Sequence, residues 1–421
     1  MSRYKFTLIA IGIILAVAAG SFYWKNLRGI WPLLKPVPER TDQTPAPILP
    51  PAPVPPTTST SEETPQAPPA PKPAANTTGI PLKIPAGFSV SIFADELPGA
   101  RVIVFDSLGN AWVSQPSEGT VSLLEMQSGK VARHNPVFKG LQKPHGLAFD
   151  PDNPFMLFIA EENKISRVNV YSEDGLHAVA TLPSGGNHTS RTIAFGPDGR
   201  LYVAIGSTCN VCNEENKMRA KIFSMNKDGS DLKEFARGLR NSVFFTWHPE
   251  TRAMWATEMG RDLLGDDIPP EEINIVGEGK NYGWPTCYGN NVHDTEFDKN
   301  TYIRNPCMEP FETPSFIDIQ AHSAPLGLAF VTNPKWPTEY ANDLLVAYHG
   351  SWNRTTPTGY KLVRIKLAAD GSYQGVEDFI SGWFANSKLY GRPVDLVFGP
   401  NGRLYLTDDR AGLVYAIEYA S

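Results

Sequence analysis

The chain has no excess of basic residues. Its 38 Lys and Arg face 44 Asp and Glu, a net charge of −6, so nucleic acid is not an expected partner. Cysteine is scarce, with only Cys209, Cys212, Cys287 and Cys307. A zinc site needs two such pairs at finger-like spacing, or added histidines, and neither is evident. The βαβ context of a thioredoxin-like redox motif is missing around Cys209-x-x-Cys212. Sustained helical periodicity is absent after residue 80, which disfavours a TIM barrel or a doubly wound sheet.

What the chain does have begins with an uncharged run, Phe6 to Trp24, preceded by Arg3 and Lys5. That run is long enough to span a bilayer, and the positive-inside rule would export everything after it. A cleaved signal peptide is the other reading, since Ala16, Ala18 and Ala19 offer small-residue cleavage sites. The length of the run and the aromatic Phe22, Tyr23 and Trp24 favour an uncleaved single-pass anchor in the inner membrane, with the rest facing the periplasm. Residues 32–73 then hold 15 of the 38 prolines. Such a stretch cannot bury enough apolar surface to fold and reads as a spacer. The expected organisation is a cytoplasmic end at 1–5, a transmembrane helix at 6–24, a disordered linker at 25–79 and one domain at 80–421. Outside the cytoplasm, four cysteines read as two local disulfides, Cys209–Cys212 and Cys287–Cys307.

The domain repeats. Phe105-Asp-Ser-Leu-Gly109, Phe195-Gly-Pro-Asp-Gly199 and Phe398-Gly-Pro-Asn-Gly402 match one another and are each followed by an apolar, aromatic strand. Weaker copies begin at Phe149, Trp247 and Phe330. Each copy is a strand, a Pro-Asp-Gly-type turn, in which Pro fixes φ and Gly or Asn supplies the left-handed position, and a second strand. Six copies at spacings of about 44 to 83 residues predict an all-β, six-bladed propeller with long loops in its later blades. Phe88-Ser-Val-Ser-Ile-Phe93 and Leu413-Val-Tyr-Ala-Ile-Glu-Tyr419 both alternate like strands and should close the ring together in the last blade.

In a propeller the residues just before each blade's first strand gather at one rim. Here they are Arg101; Lys143 and His145; His188 and Arg191; Arg240 and Asn241; His322; and Arg392. A cationic funnel with several histidines suits a multiply anionic ligand and a general base. A second cluster runs from Gly260 to Asn274. Asp262, Asp266, Asp267, Glu271 and Glu272 offer hard oxygen ligands for Ca²⁺, and Gly260 can present a carbonyl. A third is His349-Gly-Ser-Trp-Asn-Arg354, where Trp352 can stack on a planar ligand and Asn353 and Arg354 can bind polar edges.

Asn187-His-Thr-Ser-Arg191, Gly238-Leu-Arg-Asn241, Glu271-Glu-Ile-Asn274, Asn281-Tyr-Gly-Trp-Pro285, His349-Gly-Ser-Trp-Asn-Arg354 and Gly391-Arg-Pro-Val394 together resemble the glucose/sorbosone dehydrogenase family over about residues 81–420. The resemblance implies a six-bladed propeller that uses pyrroloquinoline quinone (PQQ) and Ca²⁺ to oxidise a sugar or sugar-derived aldehyde. It implies His188 as general base, Arg240, Asn241 and Arg392 as cofactor ligands, and the carbonyls of Gly260 and Arg261 as Ca²⁺ ligands. Rim position adds Arg191, Lys143 and His145. A membrane quinone or cytochrome would accept the electrons. Asn187 in place of an acid, Arg261 in place of a proline, and Gly350-Ser-Trp352 where a lysine stands in the glucose enzyme place the chain nearer the sorbosone-type branch. Two other classes compete. A Ca²⁺-dependent propeller lactonase would need inward carboxylates and asparagines. A non-catalytic carbohydrate- or protein-binding propeller would not need a histidine base.

Overall fold

The repeated turn is built as its residues require. Asp106 Oδ1 accepts the Leu108 amide, Asp198 Oδ1 the Arg200 amide and Asn401 Oδ1 the Arg403 amide, each at 3.0–3.1 Å. Gly109, Gly199 and Gly402 follow at φ of +84°, +77° and +82°, a conformation that side chains with a Cβ resist. Each turn folds a short inner strand back on a second strand. In five of the six blades the second strand's five residues are all buried, because the blades on both sides cover it.

The structure is a computed structural model and describes residues 72–419. It contains six blades of antiparallel strands, and the six inner strands are those at Phe105, Phe149, Phe195, Trp247, Phe330 and Phe398. Blades are numbered 1 to 6 in that order. The sixth closes the ring: Phe88–Ala94 pairs antiparallel with Leu413–Tyr419, so both ends of the domain lie in one sheet. Among the described residues the sole helical element is the short 3-10 turn Thr338–Tyr340.

Closure is cemented by aromatic packing. Phe88 meets Trp336, Tyr340, Phe379 and Tyr419 edge-on, with ring centroids 4.8–5.4 Å apart. Phe88→Ala should cost about 3–5 kcal/mol of stability, read as a lower urea midpoint, because it empties a buried aromatic site. The same change at exposed Phe155 should cost under about 1 kcal/mol. Equal losses at the two positions would refute this account of closure.

The blade junctions are latched by hydroxyls. Ser114 Oγ in blade 1 donates to the carbonyl of His145, which precedes blade 2. Thr257 Oγ1 in blade 4 donates to Leu326 O of blade 5, and Thr407 Oγ1 in blade 6 to Arg101 O ahead of blade 1. These bonds fix the strand-entry segments where the rim residues sit.

Two expectations need correction. Ala75–Asn76 forms an edge strand parallel to Ser89–Val90, so ordered structure begins inside the stretch assigned to the linker. The single-pass inner-membrane assignment is withdrawn. No helix among the described residues is long and apolar enough to cross a membrane. The span at 6–24 and most of the proline-rich stretch lie outside the described residues. The two expected disulfides, Cys209–Cys212 and Cys287–Cys307, are both present.

Candidate functional site

His188 sits on the segment leading into blade 3. Its Nδ1 lies 3.0 Å from the carbonyl oxygen of Ser207 and 2.9 Å from Ser207 Oγ. A carbonyl can only accept, and the Ser207 hydroxyl donates to Cys209 O at 2.8 Å. Nδ1 therefore carries the proton, and Nε2 is left with its lone pair. Burial lowers the ring's pKa, and the nearby guanidinium groups of Arg240, Arg219 and Arg191 push it further, to about 3. His188 is thus a neutral acceptor across the working pH range.

The loop that holds it is clamped by two buried arginines. Arg191 donates to the carbonyls of His188, Ser190 and Pro183. Arg219 donates to those of Ser184 and Gly185 at 2.9 and 2.7 Å. Arg191 is fully buried, and its Nη1 and Nη2 donors go to the loop while its Nε has no hydrogen-bond partner among the described residues. Lys143 pairs its half-exposed side chain with Glu162 at 3.0 Å.

Next to His188 stands the pair that opens blade 4. Arg240 Nε donates to Asn210 O at 2.8 Å, Nη2 to Asn210 Oδ1 at 2.9 Å and Nη1 to Met259 O at 3.2 Å; Nη2 also pairs with Asp262 at 3.1 Å. The Asn241 amide donates to Glu258 Oε1, leaving its side chain with only a bond to Met259 Sδ. Gly206 brings these groups together. A Cβ there would stand 2.6 Å from His188 Cβ and 2.7 Å from Asn241 Oδ1, so only glycine lets them converge.

The acidic segment after blade 4's second strand does not gather its carboxylates. Asp262 takes Arg240 and Asn353, Asp266 takes the Thr355 amide, and Asp267 takes Arg354. Glu271 and Glu272 lie on the next strand, buried, and accept the amides of Gly260 and Gly289. Burial raises their pKa values to about 8 and about 7. A cage of Asp262, Asp266, Asp267, Glu271 and Glu272 around one ion is therefore corrected. Among the described residues, the only three His, Cys, Asp or Glu groups with ligand atoms within 4.8 Å of one another are Cys209, Cys212 and Glu214, and those sulfurs form a disulfide. The carbonyls of Gly260 and Arg261 are different: no hydrogen bond among the described residues uses them.

A second network, joining blades 5 and 6 to blades 1 and 2, crosses from the third cluster. Asp409 accepts His349 Nε2 at 2.9 Å and Arg101 Nη1 at 2.8 Å, and Arg101 Nε reaches His145 Nε2 at 3.4 Å. Burial holds His349 neutral, with a pKa of about 4, and puts His145 well below its usual value. Arg392 donates from Nε to His349 O at 3.1 Å and from Nη2 to Gly350 O. Trp352, two residues past Gly350, is 72% exposed, an open aromatic face. His322 bonds Gly265 O at 2.8 Å.

Sequence reasoning missed Asp409, Ser207, Arg219 and Asn210. Ser114, Thr257 and Thr407 did carry a signal, since they fall near the ends of aligned second strands. Nothing periodic marks Asn210 or Asp409.

The arrangement pairs an unprotonated imidazole nitrogen with a bed of guanidinium groups and two free carbonyls. Residues 82–420 match the family model described as TrAA12-like. The chain is 33% identical over 358 residues to an uncharacterized protein of Borreliella burgdorferi, covering 80% of this chain and 91% of that one. It is 24% identical to the pyrroloquinoline quinone-dependent sugar dehydrogenase of Hypocrea jecorina, covering 80% and 89%. The calcium structure of the Trichoderma reesei carbohydrate-active enzyme of family AA12 superposes with a TM-score of 0.69 at 22% identity, covering 82% of this chain and all of that one.

Proposed function

This chain belongs to the TrAA12-like family, whose relatives include PQQ-dependent sugar dehydrogenases, and from that premise we propose that it oxidises sugars with PQQ and Ca²⁺ at the site around His188. The residues fit both groups. PQQ is planar and multiply anionic; Asn241 and Arg392 supply donors, Arg240, whose fork is held by Asn210, Met259 and Asp262, supplies positive charge, and Trp352 offers an exposed aromatic face. The free carbonyls of Gly260 and Arg261 are hard oxygen donors of the kind Ca²⁺ prefers. When bound, PQQ supplies the two-electron acceptor and Ca²⁺ the Lewis acid.

The chain's own residues do the rest. Nε2 of His188 accepts the proton of a sugar hydroxyl or aldehyde hydrate. Ser207 holds the opposite ring nitrogen so that the lone pair stays on Nε2. Arg191 and Arg219 prevent the loop from drifting. The observation that carries this reading is the fixed tautomer of His188 beside Asn241 and Arg240. A lactonase reading loses support because Asp262 and Asp409, carboxylates of the two networks, are already paired with arginine, asparagine or histidine.

The test uses the purified full chain, titrated with PQQ and Ca²⁺ and assayed by dye reduction on aldoses and aldehyde-bearing sugar derivatives. Saturable PQQ binding with sugar-dependent turnover is expected; absence of binding by calorimetry would remove the proposal. Chelation with EGTA should lower turnover at least about tenfold, and Ca²⁺ rather than Mg²⁺ should restore it, because the smaller ion demands a stricter octahedral shell. Turnover indifferent to EGTA would exclude the Ca²⁺ assignment.

A further inference from the structure

Asn210 is the hinge pin between the two halves of this site. It lies inside the ring closed by the Cys209–Cys212 disulfide, on the loop that follows blade 3's second strand. Its side chain reads the backbone of Asp262 on both sides, with Oδ1 accepting the Asp262 amide at 2.7 Å and Nδ2 donating to the Asp262 carbonyl at 3.0 Å. The same Oδ1 accepts Arg240 Nη2 at 2.9 Å, while the Asn210 carbonyl accepts Arg240 Nε at 2.8 Å. One residue therefore ties the Arg240 guanidinium to the segment whose preceding carbonyls, Gly260 and Arg261, are free.

The loop also reaches the histidine. Cys209 O takes the Ser207 hydroxyl, which fixes the His188 tautomer, and Thr208 O takes the Asn187 amide at 2.8 Å. Arg240 and Asp262 are 22 residues apart in the chain, and their ion pair alone leaves the Asp262 backbone untethered. Asparagine suits the position because it offers an acceptor and a donor together. Aspartate would lose the donor, and alanine both.

We propose that Asn210 is a positioning residue: it aligns Arg240 with the Gly260–Arg261 carbonyls, and so sets affinity for the anionic cofactor and its cation rather than the rate of the proton-transfer step. The inference rests on the function proposed above, and its test separates the two. Asn210→Ala is made in the full chain and compared with the wild type by calorimetric titration with PQQ in the presence of Ca²⁺, by steady-state turnover, and by hydrogen exchange of the unloaded protein.

Losing a hydrogen bond to a charged group should weaken PQQ binding about 10- to 100-fold. Turnover at saturating PQQ should stay within about threefold, and the Asp262 amide should exchange at least about tenfold faster while the blade strands keep their protection. Asn210→Ala binding within twofold of wild type, or an unchanged Asp262 amide, would overturn the assignment. Faster exchange across the strands of blades 3 and 4 would also overturn it, by showing a general structural role. If the wild type binds no PQQ, the proposed function fails, and the exchange of the Asp262 amide alone decides whether Asn210 positions this segment.

Discussion

His188→Ala is expected to lower kcat by about 10²- to 10⁴-fold, the range a positioned general base contributes, while PQQ affinity stays within a few fold. The asymmetry follows from the geometry. The imidazole is anchored through Nδ1 to Ser207, and no hydrogen bond among the described residues uses its Nε2. Retained turnover would sink the base assignment, and loss of binding would make His188 a cofactor ligand instead.

The same variant should change how stability depends on pH. The unfolded chain takes up a proton on this ring below about pH 6.5. The folded chain does not until about pH 3, because burial and the arginines disfavour the imidazolium. Stabilisation from neutral His188 is therefore complete above about pH 6.5 and is lost as pH falls towards 3. Urea unfolding at pH 7 and pH 4.5 should show a smaller drop for His188→Ala than for the wild type. An identical drop would mean the ring is not held neutral by the fold.

Arg240→Ala is expected to weaken PQQ binding at least about 30-fold, since truncating one partner of a buried, hydrogen-bonded charge pair typically costs 2–5 kcal/mol. Three consequences coincide. A guanidinium is lost from the anion bed, Asp262 loses its ion partner, and the Asn210 carbonyl loses its donor. Arg240→Lys should not restore binding, because an ammonium cannot span Asn210 O, Asn210 Oδ1 and Met259 O as the planar fork does. Full affinity in the lysine variant would show that charge alone matters here, and that the fork geometry does not.

Much of this site was legible before any coordinates. Repeat position brought His188, Arg240 and Asn241 to one rim, while their proposed roles, and those of the Gly260 and Arg261 carbonyls, came from the family resemblance. Arg191 and Lys143 share that placement. Placement at the rim does not reveal side-chain direction, and Arg191 turns back onto its own loop while Lys143 turns to Glu162. The carboxylates were misread for a related reason. A run rich in Asp and Glu looks like a ligand set, but Glu271 and Glu272 belong to a strand whose surroundings already supply amide donors.

By itself the sequence determined the architecture: six copies of a strand-turn-strand unit, three of them with an Asp or Asn and a Gly that shape the turn locally, two terminal strands that must pair, and two short-range disulfides. These are short-range or periodic features, and periodicity survives in one dimension. The tertiary structure alone decided which partners inside the protein each rim group takes. Asp409 meets Arg101 across 308 residues and Asn353 meets Asp262 across 91, separations that follow from ring closure and loop path rather than from any repeat. A hydrogen-bond donor is available to a cofactor only if no nearer acceptor has claimed it, and that competition is settled in space.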